Sequence, residues 1–172
     1  MTFKFTKTAL AAGLLLTLAA CANQGGMQST AVTTVAPTAP MRVTVSTPKL
    51  AAGYEKVAAI AGSRLYFINL KNGDSVSSPV LVHFGLSGMG VAPAGIEKAG
   101  TGHHHLLIDV DAIDVNDPIP NSDQFRHYGI GQTEVTLPMV PGKHTLQLLL
   151  ADQNHIPHHP PVMSERITIT VQ

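Results

Sequence analysis

Alternating apolar and polar residues dominate the chain from about residue 64 onward. In residues 79–86 the four even-numbered side chains are apolar and fall on one face, whereas Leu81 and His83 fall on the other. This period of two is typical of a half-buried strand. In residues 143–151 it places His144 on the same face as Leu146, Leu148 and Leu150. The pattern and the β-branched and aromatic content predict six strands, at residues 64–70, 79–86, 103–110, 133–137, 143–151 and 165–171.

These strands alternate with turns and two long loops, at residues 87–102 and 111–132, and no segment has a helical period of useful length. The natural packing for such a pattern is an all-β fold, a small antiparallel β-sandwich with immunoglobulin-like topology. A small, partly open barrel is the alternative. The alternation predicts that five apolar side chains lie in the core: Phe84, Ile108, Leu146, Leu148 and Ile169.

The first 21 residues have the pattern of an export signal. Lys4 and Lys7 precede an apolar run at residues 9–20, which is too short to span a bilayer and ends at Cys21. The ending resembles the bacterial lipobox, which implies cleavage after residue 20, lipidation of Cys21 and a cell-envelope location. Ala22 in place of aspartate favours the outer membrane, with the domain facing the periplasm. An ordinary signal peptide is the alternative.

Residues 21–61 are predicted to be the lipidated cysteine and a flexible tether, and residues 62–172 the folded domain. Residues 22–50 are rich in Ala, Thr, Ser and Pro and contain no aromatic residue, so they cannot bury enough apolar surface to offset the entropy of ordering. Residues 51–61 read as either a short helix or more tether. Removing residues 1–20 leaves nine basic against eleven acidic residues. A chain without a basic surface is not expected to bind nucleic acid.

Three consecutive histidines begin the strand at residues 103–110. Because side chains alternate along a strand, His103 and His105 point to the same side, about 6.6–7 Å apart. Two imidazoles at this spacing can converge on one metal ion. Alternatively, they are partly exposed side chains that bond loop carbonyls. His104 points to the opposite side with Leu106 and is expected to have a structural role in the core.

A second group of histidines lies in the proline-rich loop at residues 152–163. If the strand of His103 and the strand before this loop are antiparallel neighbours, His103, His105 and His155 meet at the same rim. A set of imidazole ligands suits Cu(II) or Zn(II), whereas added thioether from Met89 or Met163 would suit Cu(I). The candidate metal ligands are therefore His103, His105, His127, His155 and His158. Since only neutral imidazole binds a metal, affinity is expected to fall between about pH 7 and about pH 5.

Other polar residues read as structural, and no enzyme activity is predicted. Asp109 and Asp111 belong either to a solvated turn or to a set of acceptors for histidine N–H groups, and His144 reads as a core histidine with satisfied hydrogen bonds. The chain has no Gly-x-Ser-x-Gly motif and no phosphate-binding loop, and its folded part has no thiol.

Several sequence blocks resemble the DUF4399 family of bacterial exported domains. They are residues 66–74, 88–95, 101–109, 141–148 and 154–158, which include the triple histidine and Asn154-His155-Ile156-Pro157-His158. The resemblance extends over residues 64–172. It implies a secreted module, and it supplies no catalytic residues because the family has no assigned function.

Two functions follow from the sequence. The first is an envelope lipoprotein whose β-sandwich domain binds copper or zinc without turnover. The second is a module that binds a protein, a peptide or an envelope polymer and uses its histidines for packing. Apart from the metal ion and these macromolecules, the membrane is the one predicted partner, through the lipid on Cys21.

Overall fold

The computed structural model describes residues 53–172, which form nine β-strands and no helix. The strands are β1 Arg64–Phe67, β2 Ser75–Val76, β3 Val80–Ser87, β4 Gly90–Val91, β5 Thr101–Ile108, β6 Phe125–Tyr128, β7 Glu134–Leu137, β8 Gly142–Ala151 and β9 Ile167–Val171. Within these residues no helix is long and apolar enough to cross a membrane.

The strands form two sheets. One has the order β1-β3-β7, and the other has the order β2-β9-β8-β5-β4, with β6 also paired to β5. The long pairs are antiparallel, and only the two-residue strands β2 and β4 pair in parallel. The predicted all-β sandwich of immunoglobulin-like type is therefore confirmed.

The main core lies between the two sheets. Leu106 of β5, Leu148 of β8 and Ile169 of β9 are fully buried there, opposite Phe84 of β3. Four of the five core predictions are thus confirmed. Ile108 is only half-buried, although it packs against this core. It is the last residue of β5 and adjoins the turn at Asp109, where the chain leaves the sheet.

A second apolar cluster covers the outer face of β5 and β8. Leu107 and Leu149 pack there against Phe125 of β6 and against Val110 and Ile119 of the loop between β5 and β6. Both faces of β5 are consequently buried, which the sequence did not predict. This second layer creates the interior in which the outward-facing histidines of β5 lie.

Two strands lie within segments that were predicted to be long loops. β4 falls within residues 87–102, and β6 falls within residues 111–132 and pairs with β5 along its full length. The prediction missed β6 because its four residues do not alternate in polarity: Phe125 packs in the outer cluster and Tyr128 in the main core. Its position is fixed by pairing with β5, not by a local pattern.

Residues 54–59, called the strap below, form neither a helix nor a free tether. The amide of Ala59 donates to the carbonyl of His159 at 3.0 Å, and the amide of His159 donates to the carbonyl of Val57 at 2.9 Å. The predicted tether at residues 21–61 therefore ends earlier, because its last part is bound to the domain. The predicted signal peptide at residues 1–20, the lipidation site Cys21 and the tether up to residue 52 lie outside the described residues.

Truncating the inner core should destabilise the protein. We expect Leu148→Ala and Phe84→Ala each to lower the free energy of unfolding by about 2–5 kcal/mol, because both remove buried volume that neighbours cannot refill. Denaturant titration followed by circular dichroism measures the change. The matched control is Leu81→Ala on the exposed face of β3, with an expected effect of about 0.5 kcal/mol or less. Equal losses at Leu81 and Leu148 would contradict the assignment of the two faces.

Candidate metal centre

The centre begins with two buried histidines on the outer face of β5. His103 lies opposite Ala151 of β8, and His105 lies opposite Leu149. Both side chains are almost completely buried, at 0% and 1% exposed. Their Nε2 atoms are 3.0 Å apart. The alternation predicted from sequence therefore holds, and the two imidazoles converge instead of bonding to loop carbonyls.

β6 supplies a third imidazole. The antiparallel register places His127 directly opposite His105. The centre of its ring lies 5.1 Å from that of His105 and 4.9 Å from that of His103. Candidate ligand atoms of these three residues all lie within 4.8 Å of one another. Sequence reasoning named His127 as a possible member, and the pairing of β6 with β5 explains how it reaches the other two.

The loop after β8 adds His155. Because β5 and β8 are antiparallel neighbours, the loop leaves the sheet at the rim where His103 lies. The His155 ring centre is 5.0 Å from that of His103, 4.7 Å from that of His127 and 6.0 Å from that of His105. The His155 ring thus borders the group formed by His103, His105 and His127.

The rings in the centre of this group are held neutral. Burial, followed by the neighbouring histidines, lowers the pKa of His103 to about 3. Burial likewise holds the pKa of His105 well below its usual value, and lowers that of His127. A neutral imidazole keeps the lone pair that binds a metal. The lowered pKa values move the predicted loss of affinity in acid toward lower pH, because these rings resist protonation.

The neutral rings also leave polar atoms without a hydrogen bond. Within residues 53–172, His103 Nδ1, His105 Nδ1 and His127 Nε2 are buried and have no partner, and the same holds for Nε2 of His104 on the opposite face of β5. Leaving a buried donor or acceptor unpaired typically costs about 1–3 kcal/mol. In a tetrahedral zinc site with Zn–N bonds of about 2.0–2.1 Å, the ligand nitrogens are about 3.3 Å apart. The His103 and His105 Nε2 atoms, which share a hydrogen bond at 3.0 Å, are close to that spacing, so the donor set fits a metal ion that replaces this hydrogen bond after small ring movements.

His158, the fifth candidate ligand, occupies a different environment. It is fully buried, and its ring nitrogens face the carbonyls of Thr101 at 3.1 Å and Leu150 at 3.5 Å. It also packs beside Gly102, where a Cβ would lie 2.8 Å from a carbon of its ring. The contacts assign His158 to holding the loop against β5, and we remove it from the candidate ligands.

Neither predicted methionine donor is placed in the histidine group. Met89 packs against the main core between the sheets, and Met163 packs against the outer apolar cluster. His104 faces the main core as predicted, with Nδ1 3.1 Å from the carbonyl of Gln132 and its ring beside Phe84.

Asp109 serves a turn and not the histidine group. Its carboxylate accepts the amide of Thr145 at 2.7 Å and contacts His144 Nδ1 at 2.7 Å. His144 Nε2 contacts the carbonyl of Val140, so both ring nitrogens have partners, as expected for a satisfied histidine. Partial burial lowers the pKa of His144, but the hydrogen bonds to Asp109 and to the Val140 carbonyl and the charge of Asp109 together outweigh it, so the net pKa is raised.

The model of the family described as "Domain of unknown function (DUF4399)" matches residues 82–172. The chain belongs to the DUF4399 family. The match begins within β3 and includes all four histidines of the centre, so the centre lies entirely in the DUF4399 part of the chain. The sequence blocks predicted a match from residue 64. The observed match begins 18 residues later, so the strap and β1 lie outside it.

One solved structure is similar to this DUF4399 protein. It is described as "Structures of Clostridium thermocellum CbhA fibronectin(III)-like modules" and shares 10% sequence identity. The similarity covers 62% of this chain and 92% of that chain, with a TM-score of 0.30. No curated protein matches the chain.

The neutral buried histidines should make the metal-free protein less stable in acid. A histidine whose folded pKa is lowered binds protons more readily in the unfolded chain, so stability that is complete above about pH 6.5 is lost as the pH falls below it. This applies to His103, His105 and His127 and to His104, whose pKa burial lowers to about 4. His144, with its raised pKa, works in the opposite sense.

We therefore expect the free energy of unfolding of the chelator-treated protein to decrease from about pH 7 to about pH 5. Urea titrations at several pH values measure it. His104→Leu should flatten the dependence, because it removes one of the four depressed groups. A profile that is level, or that rises toward acid, would contradict neutral burial of these rings.

Proposed function

We propose that this protein is a cell-envelope lipoprotein whose β-sandwich domain binds one transition-metal ion, copper or zinc, without catalysing a reaction. The supporting observation is the convergence of three imidazoles, those of the buried His103 and His105 and of the half-buried His127, whose candidate ligand atoms all lie within 4.8 Å of one another. His155 closes the group from the loop side.

The chemistry of the donors favours copper or zinc. Imidazole nitrogen suits these metals, whereas calcium and magnesium prefer oxygen ligands. No carboxylate is grouped with the three histidines among residues 53–172. A hard cation would therefore lack its preferred ligands in this centre.

A role in binding, buffering or delivery accounts for the arrangement better than turnover does. Catalytic zinc sites typically use three protein ligands and keep one position open for water or substrate. Here a fourth imidazole lies against the other three, and His103 and His105 are almost fully buried. Four imidazoles on a four-coordinate ion would leave no position open for a substrate.

A module for binding a protein, peptide or envelope polymer is the second candidate. Exposed apolar side chains on the three-stranded sheet favour it: Tyr66 is 46% exposed and Leu81 is 43% exposed. The pairing of β1 with β3 places Tyr66 opposite Gly85, and the Tyr66 ring lies over that glycine. This surface belongs to the other sheet from the histidines, so the two functions can be tested separately.

The metal proposal predicts binding by the tag-free, full-length protein. Calorimetric titration with Zn(II) and Cu(II) should give one ion per chain, and His103→Ala or His105→Ala should abolish binding because each removes a central ligand. Uptake of protons should accompany metal release in acid, and release should need a lower pH than for exposed histidines because the rings are held neutral.

His83→Ala is the matched control for the loss of an imidazole. His83 lies on the other sheet, partly exposed and 3.3 Å from Glu134, and its replacement should leave binding unchanged. His104→Ala should mainly reduce stability. If the parent binds neither metal at micromolar concentration, or if the two ligand variants bind as it does, the proposal fails and the interaction module replaces it.

The lipoprotein part of the proposal has its own test. Cys21→Ser removes the acceptor for the lipid, so we expect a protein that is no longer acylated and is either retained as a precursor or released by an ordinary signal peptidase. Metabolic labelling with a fatty acid and membrane fractionation measure both results. Continued acylation and outer-membrane fractionation of the variant would contradict the lipobox assignment.

A further inference from the structure

We propose that the strap, through the contact of Tyr54 with Asp152, positions His155 as the fourth ligand of the metal centre. This inference rests on the proposed metal-binding function and extends it to residues that do not touch the metal. It makes the segment that leads in from the N-terminal part of the chain a determinant of metal affinity.

The starting observation is the backbone of His155. Its φ is 65°, in the left-handed region that residues with a Cβ rarely adopt. Such a conformation persists where surrounding contacts fix it, and it is concentrated at ligand-binding sites. Here it accompanies the approach of the His155 ring to those of His103 and His127, at 5.0 and 4.7 Å. The loop is thus held in a conformation that directs this side chain toward the other imidazoles.

Asp152 is the residue that fixes the loop. Its side chain is 1% exposed, and Oδ1 accepts the amides of Asn154 at 2.8 Å and Ile156 at 3.0 Å, on either side of His155. The amide of His155 itself donates to the carbonyl of Asp152 at 3.0 Å, and the carbonyl of His155 accepts the amide of Ile119. The peptide groups around His155 are therefore tied to Asp152 and to the loop after β5.

Tyr54 completes this arrangement from the strap. Its hydroxyl donates to Asp152 Oδ2 at 2.7 Å and accepts the Asn154 side-chain amide at 3.2 Å. Two other contacts hold the strap in place: Ala58 forms a bridge with His159, and the Lys56 ammonium donates to the carbonyl of Val115. The strap thus contacts both loops that cover the outer face of β5.

The consequence for the metal is preorganisation. His103, His105 and His127 are fixed by the sheet, whereas His155 depends on a loop whose shape is maintained by Asp152 and Tyr54. Replacing outer groups that orient metal ligands commonly lowers affinity about 10–100-fold. Loss of the Tyr54–Asp152 contact should therefore convert a four-imidazole site into one with three imidazoles and water.

The test compares Tyr54→Phe and Asp152→Asn with the parent, each as the full-length protein in detergent. Zn(II) affinity is measured by competition with a chromophoric chelator, and Zn coordination by X-ray absorption. We expect each variant to bind about 10–100-fold more weakly, with one nitrogen ligand replaced by oxygen. Tyr66→Phe is the matched control, since it removes a hydroxyl on the other sheet, and it should bind as the parent does.

A double-mutant cycle separates positioning from general destabilisation. If Tyr54 acts through His155, Tyr54→Phe should cause no further loss of affinity in a His155→Ala background. An additive loss would overturn the inference, as would unchanged affinity and four nitrogen ligands in Tyr54→Phe. In both cases the parent protein still binds Zn(II), so these results contradict only the positioning role and not the proposed function. Absence of both Zn(II) and Cu(II) binding by the parent would instead refute the proposed function, and the positioning role with it.

Discussion

Burial of both faces of β5 is the constraint on which the rest of the structure depends. One face enters the core between the sheets with His104, Leu106 and Phe84 of the facing strand. The other face carries His103 and His105, and it is sealed by β6 and by the loops after β5 and β8. A strand of this kind needs partners for the polar atoms on its outer face, because water cannot reach them.

The outer layer provides hydrogen-bond partners for only some of the buried histidine nitrogens. His158 and His104 contact backbone carbonyls, and His144 is paired with Asp109. These three histidines have structural surroundings. The rings of His103, His105 and His127 lie against one another instead, and their candidate ligand atoms all lie within 4.8 Å of one another. The contrast between the two sets, within one domain of 120 described residues, is the basis for assigning metal binding to one set and packing to the other.

The layer that covers β5 is built from segments far apart in the sequence. β6 fixes His127 through backbone pairing, and the loop after β8 carries His155 in a left-handed conformation. The strap contacts both covering loops through Lys56, Tyr54 and the bridge of Ala58. A metal bound in this layer would stabilise the folded state over the unfolded chain, which lacks the assembled site. Ligand binding and closure of the outer layer would then reinforce each other.

The sequence by itself determined the sandwich, four buried core positions and the placement of His103 and His105 on the same side of their strand, because strand alternation is a local property that needs no knowledge of neighbouring strands. It did not determine the short strands or the burial of the outer face. Residues 125–128 become a strand only through pairing with β5, and residues 54–59 are ordered only through their contacts with the loops. It also could not separate His158 from His155, which lie three residues apart in one proline-rich loop. The tertiary structure decided between them, because the path of that loop turns one ring toward backbone carbonyls and the other toward His103 and His127.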